Sequence, residues 1–156
     1  MSPVVRYPTS ALVAVAWLSQ RVPGLTDAMV ATSLPRGTAE NPYPWAADGF
    51  VQATVITGTP DVDVPIRRPL VQVDCWAMTP NSGRPPIAKA ANLAELVRVA
   101  TELDSARYSS PIVSREYYGG AIVLSAYVES EPAEIPDDPS GYAHVTLDLR
   151  IEWVRA

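Results

Sequence analysis

Very little in this chain suits covalent or metal chemistry. Its 156 residues include one cysteine, Cys75, one histidine, His144, and one phenylalanine, Phe50. A lone cysteine forms no intrachain disulfide, so the framework that marks small secreted proteins is missing. Long apolar runs are missing too. Ala11–Leu18 falls far short of the ~20 residues a membrane-spanning helix needs. With Arg6 the only charge ahead of it, that run also lacks the basic start of a signal peptide. Basic residues are few, 12 against 17 acidic ones for a net charge of −5, and only Lys89 is a lysine, a pattern of codon bias in a GC-rich genome. That balance excludes the clustered positive surface of a DNA clamp. The expectation is a soluble protein made in a cytoplasm.

What is present is the composition of a globular protein, 47% hydrophobic and 19% charged. The length fits one domain spanning residues 1–156. Residues 70–103 organise the rest. Val71, Val73, Cys75 and Ala77 alternate with Gln72, Asp74 and Trp76, the period of a strand with one dry face. After Arg84-Pro85-Pro86 the period changes. Lys89, Asn92, Glu95, Arg98 and Glu102 line one polar stripe of a helix from Ile87 to Leu103, with Ala90, Leu93, Ala94, Val97 and Ala100 broadly opposite. Leu96, Val99 and Leu103 widen the apolar arc, which calls for a second helix or a neighbouring subunit to cover it.

Thr9 or Ser10 can cap a first helix running to about Arg21, apolar nearly all round and the natural cover for that arc. Ala28–Leu34 allows a short strand, and Phe50–Thr57 a better one. Ile122–Val128 and His144–Trp153 alternate cleanly and should pair antiparallel across the proline-rich, acidic connection Glu129–Gly141. The expected fold is therefore α+β, a mostly antiparallel sheet of four to five strands flanked by two helices in the order α-β-β-β-α-β-β. Three long connections, 35–49, 58–69 and 105–120, stand out on so small a scaffold.

None of the reactive side chains sits in a catalytic pattern. His144 lies on the polar face of the last strand with no second histidine, and reads as a solvent-facing structural residue. Cys75 falls on the dry face and reads as a buried small hydrophobe, not a nucleophile. Asp74 and Trp76 read as a wet or subunit-contacting sheet face. Gly119-Gly120 lacks the Lys-Ser/Thr and helix start of a phosphate loop and reads as a hinge. In the acidic run Glu129–Asp138, prolines break the ligand spacing of a calcium loop, which leaves a solvated loop. The loop aromatics are different. Tyr43, Trp45, Tyr108, Tyr117 and Tyr118 lie outside any periodic segment, and Tyr, Trp and Arg are the types enriched at interface hot spots. With Arg67, Arg68 and Trp76 they form the candidate interface set.

The stretch Arg68-Pro69-Leu70-Val71-Gln72-Val73-Asp74-Cys75-Trp76-Ala77, followed by the Ala-rich helix 88–100, resembles the tail terminator, or tail completion, proteins of long-tailed bacteriophages, most of all those of actinobacteriophages. The pattern is R-P-x-V-Q-V-D-x-W leading to A-x-x-L-A-E-x-V. The likeness covers about 120 residues, of which some thirty carry a distinctive pattern. The long 35–49 and 58–69 segments depart from the compact family outline.

The resemblance implies a structural virion protein, no enzyme activity and no cofactor. Its members assemble as rings, typically hexameric, on the finished tail tube. The implied partners are copies of the chain, the major tail tube protein and the head–tail connector or stopper. Genome DNA would pass through the ring without specific binding, and no membrane is involved. The implied location is the tail–neck junction of the virion, after assembly in the host cytoplasm. On this reading Arg67 and Arg68 reach acidic residues of an adjacent copy, such as the 129–138 loop. Two other readings stay open: another head–tail neck component, and a small ligand-binding or enzymatic domain.

Overall fold

The computed structural model describes residues 7–103, 112–113 and 120–156, and for 112–113 the backbone alone. The chain folds as α+β. Helix α1 (Ser10–Arg21) is followed by strands β1 (Val30–Ala31), β2 (Phe50–Thr57) and β3 (Leu70–Ala77). Helix α2 (Ile87–Ala100) then leads to β4 (Ile112–Val113), β5 (Gly120–Glu134) and β6 (Ala143–Arg155). The strands form one sheet in the order β1-β2-β3-β6-β5-β4, antiparallel at every pairing except β1 with β2. Among the described residues, no helix is long and apolar enough to cross a membrane.

The alternation in β3 sets the two faces. Val71, Val73, Cys75 and Ala77 are fully buried, and β6 adds Val145, Leu147, Leu149, Ile151 and Trp153 to the same side. Both helices pack on this dry face. α2 lies against β3, β6 and β5, while α1 touches β1, β2 and β4. The core fills with Trp17, Leu18, Leu93, Val97, Leu147 and Leu149. Burying each large aliphatic or aromatic side chain there stabilises the fold by roughly 1.5–3 kcal/mol. α1 begins as its sequence predicts, with the Thr9 hydroxyl accepting the Leu12 amide. Its first turn is tied to the sheet by the Trp153 indole N–H, which donates to Ser10 Oγ at 3.1 Å.

Four expectations need correction. α2 ends at Ala100, not Leu103, with Thr101 as its cap. α1 does not cover the whole apolar arc of α2, because Val99 and Leu103 stay exposed. The 105–120 connection contains strand β4, which pairs Ile112 with Ala121. Finally, β5 does not stop at Val128. It runs to Glu134, absorbing irregular register near Glu129 and again between Ser130 and Ala133. Bulges let a strand carry Pro132 and unpaired acidic residues without ending.

Candidate functional site

The second face of the sheet is polar along its middle and aromatic at one end. Register puts Phe50 opposite Trp76 and Trp76 opposite His144, a row across β2, β3 and β6. One position further in lie Gln52, Asp74 and Thr146. The 41–47 loop and the 138–142 turn fold over this end. Tyr142 meets the rings of Tyr43, Trp45 and Trp76 edge-on, with the Trp45 centroid nearest at 5.1 Å. The Lys89 ammonium ties the loop to α2 by donating to the carbonyls of Ala46 and Ala47.

His144 is the centre of this arrangement, and it does not face solvent. Its side chain is 12% exposed and is held on three sides. Nε2 lies 2.7 Å from Asp74 Oδ1, and Nδ1 lies 3.0 Å from Asp138 Oδ2. The ring stacks flat on Trp76. Asp74 is likewise a buried residue at 5% exposure, not part of a wet face. Gln72 Nε2 donates to both of its oxygens at 3.1 Å. Trp76 Nε1 donates to Gln52 Oε1, and Gln52 Nε2 in turn donates to the Thr32 carbonyl. The result is two hydrogen-bonded strings, Thr32–Gln52–Trp76 and Gln72–Asp74–His144–Asp138, joined by the Trp76–His144 stack.

The chemistry open to this cluster is narrow. A general base or metal ligand needs a free imidazole nitrogen, and both nitrogens of His144 already have carboxyl partners. A protonated ring donates both bonds, whereas in a neutral ring one nitrogen donates and the other accepts from a protonated carboxyl. Either way one proton is confined to the 2.7 Å contact. Ser140 Oγ adjoins Asp138, not the histidine, so the order is serine, acid, histidine, acid. A nucleophilic triad needs the histidine next to the hydroxyl. Asp138 is also a poor base, because the Ser140 hydroxyl and amide and the His144 ring hold its carboxyl below the usual value. Burial, followed by the nearby Asp74 charge, pushes the Cys75 thiol well up, away from the reactive thiolate. Among the described residues, no group of three or more His, Cys, Asp or Glu side chains is placed to hold a metal.

The predicted interface residues fall into three groups. Trp45 and Trp76 are inside this cluster: Trp45 is buried and Trp76 half-buried, so neither offers an open ring. Tyr43 is exposed at its rim, beside a groove that also involves Met78, Arg84 and Tyr142. Arg67 and Arg68 are engaged within the chain. The Arg67 guanidinium lies over the Trp153 ring at 5.3 Å, and its backbone pairs with Trp153. Arg68 bridges Asp61 at 2.9 Å and Glu152 at 3.4 Å. Of the 129–138 loop expected to meet these arginines from a neighbouring copy, Glu129 is held by Arg150 and Asp138 by His144 within the chain. Tyr108, Tyr117 and Tyr118 lie outside the described residues.

The sequence reading missed the cluster because its members come from four separate segments and no local spacing joins them. The one available signal was the register. With β3 and β6 paired, Trp76 and His144 had to be neighbours. No protein-family model matches this chain, and no curated protein matches it either.

Proposed function

We propose that the chain is a ring-forming structural subunit that closes the tail tube of a long-tailed bacteriophage, ends tube growth and offers the docking surface for the head connector. The observation that carries this reading is the use made of the R-P-x-V-Q-V-D-x-W stretch. Arg68, Gln72, Asp74 and Trp76 all bond or stack within the chain, so the distinctive residues build a rigid wedge and leave no reactive group free. What remains for contact is shape. Val55, Ile56, Val62, Val64, Val99 and Leu103 are exposed, with Ile56 at 52% and Val62 at 97%. Repeated heterologous contacts in a closed ring hide such surface. The net charge of −5 suits a lumen through which DNA slides without sticking. On this reading the chain is not an enzyme; it works at the tail–neck junction, after assembly in the host cytoplasm.

The test is to add the purified chain to polymerising tail tube protein and follow tube length by electron microscopy. Capped tubes of fixed length, each bearing a ring at one end, are expected. Tubes that grow on unchanged overturn the reading, and binding to the head connector without any effect on tubes would favour a different neck component.

A further inference from the structure

Among the described residues, only two basic side chains have no partner in their own chain. Lys89 holds backbone carbonyls, and Arg68, Arg98 and Arg150 hold acids. Arg67 and Arg155 lie over aromatic rings, and Arg21 is engaged as well. Arg36 and Arg84 remain. Arg84 lines a groove of about 550 Å³ between the 41–43, 78–85 and 140–142 segments. Past Pro85 and Tyr142 the groove continues into a second arm of about 480 Å³, where Glu134 and Asp137 are exposed and equally unpartnered. The trough therefore has a positive end and a negative end, with Met78, Ile87 and Ile135 along its length.

Arg36 lies in the first half of the 35–49 connection, whose second half packs over the aromatic cluster. Residues 35–42 are exposed throughout, so nothing in their own chain explains their shape. Yet the loop is built. The Thr38 N–H donates to the Asn41 carbonyl at 2.9 Å, and the Asn41 N–H donates to Thr38 Oγ1 at 3.0 Å. Gly37 passes so close to Pro42 that a Cβ there would run into its carbonyl. The closed turn carries Glu40, whose carboxylate has no partner among the described residues, and Arg36 stands just ahead of the pinch.

We infer that the 35–41 loop of one copy docks in this trough on the next copy, with Glu40 at the Arg84 end and Arg36 at the Glu134–Asp137 end. The occupant is a second copy because the two free charges of the loop are the complements of the two ends of the trough. Polarity also fixes the direction, since the reversed pose sets like charges against each other. A preformed loop gives up little conformational freedom on docking. Loop and trough are different surfaces, so the contact is heterologous and repeats from copy to copy. The inference rests on the ring reading only for the closure of that series.

The test is sedimentation equilibrium of the full chain in low salt, up to millimolar concentration. The unmodified chain should self-associate. Glu40→Arg and Arg84→Glu, both at exposed positions, should each weaken association about tenfold or more. An equimolar mixture of the two variants should recover it, because the altered loop of one meets the altered trough of the other, and the unaltered loop meets the unaltered trough. A Glu40–Arg84 pair within one chain gains nothing from mixing. An unmodified chain that stays monomeric throughout overturns the proposal. So do single variants that associate normally, or a mixture that does not recover. Tail-tube capping reads the ring separately: capping that survives Glu40→Arg removes this joint and leaves the ring reading, whereas recovered association without any capping leaves the joint and removes that reading.

Discussion

The imidazole of His144 lies flat on the indole of Trp76, with centroids 3.9 Å apart and planes 13° apart. The two residues are directly opposite each other on β6 and β3. This stack fixes the ring plane, and the plane aims one nitrogen at Asp74 and the other at Asp138. A residue of the central strand thus positions the fastener that closes the β5–β6 hairpin turn onto the sheet.

Removing the fastener should cost stability. His144→Phe keeps a ring over Trp76 but leaves Asp74, buried at 5% exposure, with Gln72 as its remaining side-chain partner. A loss of about 1–3 kcal/mol is expected from a buried acceptor stripped of a bond. Asp74→Asn should cost a comparable amount. Because the two residues are in contact, the double variant should lose less than the sum, with a coupling of roughly 0.5–3 kcal/mol. Urea unfolding of the four proteins measures this. Strictly additive losses would show that the 2.7 Å contact contributes nothing.

The parts of this architecture that were legible in the sequence are those governed by a local period. The faces of β3, the cap at Thr9 and the pairing of the last two strands follow from alternation, hydroxyl placement and turn residues. The parts that were not legible depend on long-range meetings. His144 alternates as a polar-face residue, and nothing nearby reveals that Asp74, seventy positions away, reaches it. Trp45 sits in an aperiodic, proline-rich loop, and its burial comes from Tyr142, near the other end of the chain. The length of β5 was hidden by Pro132, since a proline reads as a stop unless a bulge absorbs it. Arg68 looked free because its partner Asp61 lies in a loop without period and Glu152 in a distant strand.

Acid should loosen the 138–142 turn late. Asp138 is held below the ordinary carboxylate value, first by the Ser140 hydroxyl, then by the Ser140 amide and by His144. A carboxyl whose folded value is depressed stabilises the native state above its unfolded value. That contribution is lost as pH falls through the folded one. The turn should therefore stay closed through the range where an unperturbed aspartate protonates and open only below it. Following the Asp138 carboxyl carbon by NMR through an acid titration tests this. Ser140→Ala should move the midpoint back up towards the ordinary value, and a midpoint already there in the unmodified chain would refute the assignment.

Two glycines with left-handed backbones should respond differently to alanine. Gly49 has φ +82°, and a Cβ there would stand 2.7 Å from Leu93 Cδ1 and 3.1 Å from the Trp76 carbonyl oxygen. Gly141 has φ +78° and open space around the same position. Gly141→Ala should cost only the left-handed backbone term, roughly 1–2 kcal/mol. Gly49→Ala adds overpacking between β2 and α2, for a total of roughly 2–4 kcal/mol. Thermal unfolding of both variants reads the difference. Equal losses would mean that Leu93 moves aside freely and that the junction ahead of β2 is not tightly packed.

Cys75 gives a direct measure of how firmly the sheet and its helices hold together. Its side chain is fully buried at the middle of the dry face, paired across to Val51 and Val145, and burial raises its thiol value. A thiol-specific reagent can reach it only when α2 lifts from β3 or the chain unfolds. Labelling in native buffer should therefore be slow, and accelerated by urea in proportion to the surface exposed on unfolding. His144→Phe weakens only the opposite face, so it should speed labelling by the factor its loss of global stability dictates and by no more. Labelling much faster than global unfolding would reveal a local opening of α2. That would place its exposed Val99 on an element able to detach from the sheet rather than on a fixed outer wall.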